Sequence, residues 1–106
     1  MWTIETLNEI VDTELNALPD DQKAKLVWIG KLIQSHGLEK VRAPYIKALE
    51  KGLWEIRLKG KDGISRAIYV TAKQKRIVIV RVFVKKTQKV PRKEINLALK
   101  RAKEVT

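Results

Sequence analysis

Residues 77–95, IVIVRVFVKKTQKVPRKEI, join an almost wholly apolar run to a basic tail and a proline. The β-branched residues predict a strand over 76–84, and so few polar positions are typical of a central strand covered in part on both faces. Pro91 suits the first turn of a helix. The residues that follow predict an amphipathic helix because four apolar side chains have helical spacing: Ile95, Ala98, Leu99 and Ala102.

Two shorter stretches with a period of two precede this strand, LWEIRLK at 53–59 and ISRAIYVT at 64–71. The connections GKDG and AKQK are short enough for hairpin turns, so the three strands are expected to be antiparallel. Residues 39–52 show no clear period, which indicates a connecting loop with room for one helical turn at 45–51.

The N-terminal part of the chain predicts one strand and two helices. WTIETL at 2–7 alternates apolar and polar residues, and Asn8 is a suitable N-cap for the helix that follows. Asp20 and Asp21 offer the next N-cap. The order β-α-α-β-β-β-α predicts one α+β domain over 1–106, with its helices packed on one face of a small antiparallel sheet.

The composition excludes several kinds of site. The 106 residues include no cysteine and one histidine, His36, too few for zinc ligands or for Cys/His or Ser/His/Asp catalysis. His36 precedes Gly37 at the end of the second predicted helix, where a cation is favourable without a catalytic role. We therefore expect no metal and no cofactor.

The charge balance predicts a polyanionic partner. Lys and Arg number 23 against 12 Asp and Glu, giving a net charge of +11, as in many nucleic-acid-binding proteins. The alternative is a small soluble protein that is merely basic. The N-terminal MWTIETLNEI is acidic, unlike a signal peptide, and no apolar run approaches the ~18 residues of a membrane span. We expect a cytoplasmic protein without a membrane partner.

The hairpin turns determine which residues face one another across the sheet. A loop at 61–62 sets Arg57 opposite Arg66, and a loop at 73–74 sets Arg66 opposite Arg81. One face then gathers the apolar residues expected to pack under the helices: Trp54, Ile56, Leu58, Ala67, Tyr69, Val78, Val80 and Val82. The other face gathers the three arginines together with Phe83 and Lys85.

Like charges directly opposite one another destabilise a sheet, so this row of arginines suggests an external anion. Two alternatives stay open: Glu55 or a helix acid neutralises the row, or a β-bulge shifts the register. Tyr69 resembles a catalytic phenol, but its predicted face favours packing in the core.

A phosphodiester of RNA fits the cationic face. Arginine donates bidentate hydrogen bonds to phosphate oxygens, and clustered cations depress the pKa of a neighbouring lysine, so Lys85 or Lys86 can relay a proton. Phe83 offers a surface for stacking an unpaired base. The 2′-hydroxyl of RNA is itself a nucleophile, so the reaction requires neither a metal nor a side-chain nucleophile.

GLWEIRLKGKDGISRAIYV followed by VFVKKTQKVPRKEINLALKRAKE resembles the HigB-type, phage-related group of the RelE/ParE toxin superfamily. The resemblance covers roughly residues 44–104 and implies a RelE-like fold. It implies a toxin of a type II toxin–antitoxin pair, a ribosome-dependent endoribonuclease that cuts mRNA. The implied partners are mRNA on the ribosome and a cognate helix-turn-helix antitoxin of the HigA type. The toxin is expected to bind promoter DNA only through this antitoxin.

The resemblance also assigns roles to residues. It implies catalytic roles for Arg57, Arg66, Lys85 and Lys86. We further expect RNA-binding roles for three residues beside them: Arg81, Phe83 and Thr87. Similar proteins often hold another residue at the position of Arg81, and Val90 replaces a frequent threonine that would cap the last helix.

Two other functions are compatible with the same sequence. ParE-type proteins of this superfamily poison DNA gyrase and cleave no RNA, although the run Lys85-Lys86-Thr87 and the paired arginines resemble the nuclease branch. A non-enzymatic RNA-binding protein of the ribosome is the second alternative.

Overall fold

A computed structural model describes residues 1–41, 44–85 and 89–106. The described residues form five strands, three α-helices and one 3-10 turn at Leu38–Lys40. In chain order these are β1 (Thr3–Thr6), α1 (Glu9–Asn16), α2 (Asp20–His36), β2 (Ile46–Ala48), β3 (Trp54–Gly60), β4 (Gly63–Ala72), β5 (Arg76–Lys85) and α3 (Arg92–Ala102). The α+β class is confirmed, and the architecture is compatible with a RelE-like fold. None of the helices in the described ranges is long and apolar enough to cross a membrane.

The sheet has the strand order β1-β5-β4-β3-β2. Strands β2 to β5 each pair antiparallel with the next strand, as predicted for β3 to β5, whereas β1 pairs parallel to β5. The sheet is therefore mixed, and the prediction of a purely antiparallel sheet is wrong. The long connection through α1 and α2 permits this parallel pairing, which a short hairpin turn could not form.

The hairpin between β3 and β4 has the predicted register. Gly60 pairs with Gly63 across the turn, and Arg57 pairs with Arg66. The start of α2 lies against this turn, where the Asp21 carboxylate accepts a hydrogen bond from the Lys61 backbone N–H at 2.9 Å. A Cβ on Gly60 would stand 2.5 Å from Asp21 Oδ2 and 2.8 Å from Gln22 Cγ, so a larger residue here would displace these side chains.

The register predicted between β4 and β5 is wrong. The connecting loop contains three residues, Lys73 to Lys75, because Ala72 pairs with Arg76, and a bulge shifts the register again between Ile68 and Tyr69. Arg81 consequently faces Ile68, and it does not face Arg66 as the two-residue loop had predicted.

The three-residue loop and the bulge together distribute β5 between two apolar cores. Ile77, Ile79 and Val82 pack with α1 and α2 on one face of the sheet, whereas Val78 and Val80 pack with α3 on the other. The prediction that Val78 and Val80 share a face with Tyr69 is therefore wrong, as is the prediction that all helices pack on one face. A strand that is apolar on both faces needs cover on both, and α3 supplies the second cover.

The segment predicted as a loop with a helical turn at 45–51 forms β2 and a tight turn. Ile46 pairs with Ile56 and is buried, so this short strand extends the sheet beyond β3. Lys51 and Gly52 both have positive φ, 54° and 82°, which excludes a right-handed helical turn there.

The N-terminal helices begin close to the predicted positions. Asn8 caps α1, and its side chain accepts a hydrogen bond from the Val11 N–H at 3.1 Å. The N-cap of α2 is Pro19, so Asp20 and Asp21 lie in the first helical turn. At the other end, Gly37 ends α2 with a φ of 87°.

Candidate functional site

Two arginines and a phenylalanine form a row across the α3 side of the sheet. Arg57 on β3 pairs with Arg66 on β4, and Arg66 pairs with Phe83 on β5. These three were predicted to share a face, and they do. The loop and the bulge each shift β5 by one residue from the predicted register, and two such shifts return Phe83 to the predicted side of the sheet. We take this row as the candidate site.

Arg66 is buried together with Glu55. Their side chains are 4% and 3% exposed, and Arg66 Nε lies 3.1 Å from Glu55 Oε2. Burial lowers the pKa of the Arg66 guanidinium, while the Glu55 charge opposes this change. The alternative that Glu55 neutralises part of the row is thus confirmed for Arg66.

Arg57 differs from Arg66 in its surroundings. It is partly exposed, and within the described ranges no acidic side chain forms an ion pair with it. Since Glu55 is held by Arg66, the unbalanced charge of the row lies at Arg57. This guanidinium is therefore the group best placed to bind an external anion.

A surface cavity of about 360 Å³ adjoins Arg57. Two further cations, Lys25 of α2 and Lys59 of β3, line it, with Pro44, Tyr45 and Ile64 as its less polar walls. Lys25 Nζ lies 5.4 Å from the centre of the Tyr45 ring, within the range of a cation–π contact. The cavity thus combines positive charge with an aromatic wall.

Arg81 is held by two carboxylates from different helices. Its Nη1 lies 2.8 Å from Glu14 Oε2, and its Nε lies 2.7 Å from Glu94 Oε1. The hydrogen bond to Glu94 is the main reason that the pKa of Arg81 is raised. The alternative that helix acids neutralise the row is confirmed for this residue, so Arg81 presents no unbalanced charge.

Glu14 and a second arginine complete the same cluster at the outer edge of β5. Arg101 Nη1 lies 2.9 Å from Glu14 Oε2 and donates to the Val80 carbonyl at 2.9 Å. Glu14 Oε1 in turn accepts from the Val82 N–H at 3.0 Å. Because β1 ends opposite Ile79, these side chains satisfy the strand edge that β1 leaves open.

Phe83 is only 9% exposed and belongs to the core under α3. The Arg81 guanidinium carbon lies 5.7 Å from the centre of its ring. The ring therefore offers little surface for a stacked base. Lys85 ends β5 opposite Ile64, and Lys86 and Thr87, the other predicted site residues, lie outside the described ranges.

Tyr69 and His36, the other titratable residues considered as catalytic groups, lie where the sequence predicted. Tyr69 is 1% exposed within the core under α1 and α2, so the packing interpretation is confirmed. His36 is exposed in the last turn of α2. No group of three or more His, Asp or Glu side chains that could hold a metal ion occurs in the described part of the chain.

Sequence reasoning missed two cations of the Arg57 cavity and the cluster around Arg81. Lys59 follows Arg57 by two positions, so the period of a strand could have placed it on the same face. Lys25 comes from α2, and no local pattern connects it with β3. The role of Glu14 depends on where β1 ends against β5, which is set by tertiary packing.

Comparison with known proteins gives one family. Residues 13–103, most of the chain, match the family described as phage-derived protein, Gp49-like. No curated protein matches the chain.

Proposed function

The chain belongs to the family of phage-derived Gp49-like proteins, a toxin-like family related to RelE and HigB, and we propose that it is an endoribonuclease toxin. Its substrate in this proposal is mRNA on the ribosome, and it is the toxin of a type II toxin–antitoxin pair. The observation that carries the proposal is the arginine pair Arg57–Arg66, in which, among the described residues, acidic side chains neutralise Arg66 and not Arg57.

Arg57 binds the scissile phosphate in the proposed mechanism. Its guanidinium donates two parallel hydrogen bonds to non-bridging oxygens and stabilises the additional negative charge that develops in the transition state. Arg66, buried and paired with Glu55, faces it from the next strand and adds positive potential at the phosphate. Lys25 and Lys59 supply further positive charge for the neighbouring phosphates.

The bond that forms joins the 2′-oxygen to phosphorus, and the bond that breaks joins phosphorus to the 5′-oxygen of the next nucleotide. The 2′-hydroxyl loses a proton and the leaving oxygen gains one, so the products are a 2′,3′-cyclic phosphate and a 5′-hydroxyl. Lys85 and Lys86 are proposed to move these protons. The substrate supplies the nucleophile, which is why no cysteine, histidine or serine nucleophile is needed.

Two of the RNA-binding roles change in light of the contacts. Arg81 is engaged by Glu14 and Glu94, so it serves in the proposal to position β5 and the ring of Phe83. Phe83 lies beside Arg66 on the next strand and has little surface left for a base. Thr87 keeps its proposed contact with RNA.

The proposed protein partner is a helix-turn-helix antitoxin of the HigA type, through which alone promoter DNA is bound. The net charge of +11 supports a partner that covers the basic surface with acidic groups. Co-expression with the product of the neighbouring reading frame tests this partnership. We expect co-purification of the two chains and restored growth, and neither occurs if the partnership is wrong.

Induction in growing cells tests the proposed activity. We expect growth arrest together with new 5′ ends in translated mRNA, detected by primer extension, while the chromosome stays intact in pulsed-field gels. Intact mRNA with double-strand DNA breaks would instead support a gyrase poison. Intact mRNA and intact DNA would leave a binding protein as the function.

A further inference from the structure

A second cavity lies between β2 and the first turn of α3, and it includes the buried Glu55 in its lining. Its volume is about 480 Å³, within the range of pockets that hold small ligands. Apolar side chains form much of the wall: Ala48, Leu49, Val90 and Ile95. Charged side chains form the remainder: Lys47, Glu50, Glu55, Lys89 and Arg92. Such a lining suits a flat, apolar ring with polar edges.

Glu55 keeps hydrogen-bonding capacity in this cavity. The residue is 2% exposed, and its Oε2 atom forms an ion pair with Arg66 Nε at 3.1 Å, in a geometry that makes no regular hydrogen bond within the described part of the chain. A carboxylate has about four acceptor positions, so one ion pair leaves positions for a ligand with N–H donors. Glu50 differs, because Arg92 donates to both of its oxygens, at 2.5 and 2.9 Å.

Guanine is the nucleobase whose edge matches a carboxylate. An ionised carboxylate only accepts hydrogen bonds, and guanine presents two adjacent donors, N1–H and the N2 amino group. Adenine and cytosine place an unprotonated ring nitrogen beside their amino group, and a carboxylate repels it. Uracil flanks its single N–H with carbonyl oxygens, which are repelled likewise. Lys47 lines the same cavity and supplies a cationic donor for guanine O6.

The position of the cavity relative to Arg57 agrees with a nucleotide ligand. Glu55 and Arg57 lie two positions apart on β3, on the same face of the sheet. That separation is about 7 Å along a strand. A nucleotide whose base enters the cavity therefore brings its own phosphate close to Arg57.

We infer that this cavity is a guanine-binding pocket in which Glu55 is the specificity-determining residue. The inference rests on the proposed function, because it takes single-stranded RNA as the ligand, whose unpaired bases proteins read on their Watson–Crick edges. Guanine in the pocket places its phosphate at the candidate site. The protein then cuts preferentially beside guanine.

Binding of uncleavable oligonucleotides tests the pocket separately from the activity. The ligands are 2′-O-methyl pentauridylates with a central guanine, inosine or adenine, because the methyl group blocks attack by the 2′-oxygen. We expect inosine, which lacks the N2 amino group, to bind about tenfold more weakly than guanine, and adenine more weakly still. Fluorescence anisotropy of labelled ligands measures the three affinities.

Variants locate the preference in Glu55. Glu55→Gln is expected to bind the guanine and inosine ligands equally. Glu104→Gln removes the same charge from an exposed residue, and it should keep the wild-type ratio of the two affinities. The comparison of ligands on the wild-type protein stands even if Glu55→Gln does not fold. Equal wild-type affinities, or no binding of any ligand, overturn the inference even if mRNA is cut. If the protein prefers guanine but leaves mRNA intact, the inference of a guanine pocket stands and the proposed nuclease activity is wrong.

Discussion

Arg57 and Arg66 face each other across two strands, and their surroundings give them different roles. Arg57 is partly exposed and makes no ion pair in the described ranges, so Arg57→Gln should leave the fold intact and lower mRNA cleavage by about 100-fold. Initial rates in a translating extract measure the loss, and thermal unfolding checks the fold. Arg76→Gln, the same change at the other end of the sheet, is the control and should retain activity. Cleavage at the wild-type rate by Arg57→Gln would contradict the assignment.

The buried pair of Arg66 and Glu55 predicts a different outcome for Arg66. Arg66→Met leaves the Glu55 carboxylate buried without a countercharge, which costs about 3–5 kcal/mol of unfolding free energy. The double variant Arg66→Met, Glu55→Leu removes both charges and should recover most of this loss. Chemical denaturation gives the three values. Equal destabilisation of the single and double variants would show that the two charges do not depend on each other.

Individual residues show where sequence reasoning succeeds. The opposition of Arg57 and Arg66 was predictable because a two-residue turn fixes the register of a hairpin. The neutralisation of Arg81 was not, because Glu14 and Glu94 come from helices that are distant in the chain from each other. Ion pairs between elements depend on packing, which a local pattern does not contain.

At the scale of the elements, the β4–β5 turn is under strain that a substitution can relieve. Gln74 and Lys75 have φ of 65° and 56°, in the left-handed region that side chains with a Cβ disfavour. Lys75→Gly should therefore raise the unfolding free energy by about 0.5–1 kcal/mol. Lys73 lies in the same turn but has no positive φ, so the control variant Lys73→Gly should not stabilise the protein. Urea unfolding of both variants checks this, and a destabilised Lys75→Gly would count against the strain.

Glu14 connects α1 to the outer edge of β5. Glu14→Gln removes the charge that balances Arg81 and Arg101, and we expect a loss of about 1–3 kcal/mol in unfolding free energy. Glu9→Gln, on the same helix but exposed, should cost much less. Thermal and urea unfolding compare the two. Similar losses for both would mean that the cluster contributes no more than a surface carboxylate.

The elements themselves were predictable to different extents. The β3–β4 hairpin follows from the period of two and from GKDG, and α3 follows from Pro91 and the helical spacing after it. The bulge in β5 was not predictable from the sequence, because residues 77–84 are apolar at almost every position and fit either register. The short strand β2 was missed because it pairs over three residues only, too few to show a period.

For the whole molecule, the two-sided sheet explains how a chain of 106 residues carries both a core and a candidate site. The helices α1 and α2 cover one face, and α3 covers the other face, where the row of Arg57, Arg66 and Phe83 lies. In the proposed function, the field of the +11 net charge attracts RNA from a distance, and Arg57 provides the local contact. The charge excess was readable from composition, but which cation stays unbalanced required the fold.

The chemistry of the new RNA ends tests the proposed activity most directly. Purified protein is added to a translating extract, and the mRNA fragments are examined for a 2′,3′-cyclic phosphate or 3′-phosphate on one side of the cut and a 5′-hydroxyl on the other. We expect these ends with the wild-type protein, and none of them with Arg57→Gln. Translated mRNA that stays intact with the wild-type protein, or fragments that carry 5′-phosphates and 3′-hydroxyls, would contradict attack by the 2′-hydroxyl at Arg57.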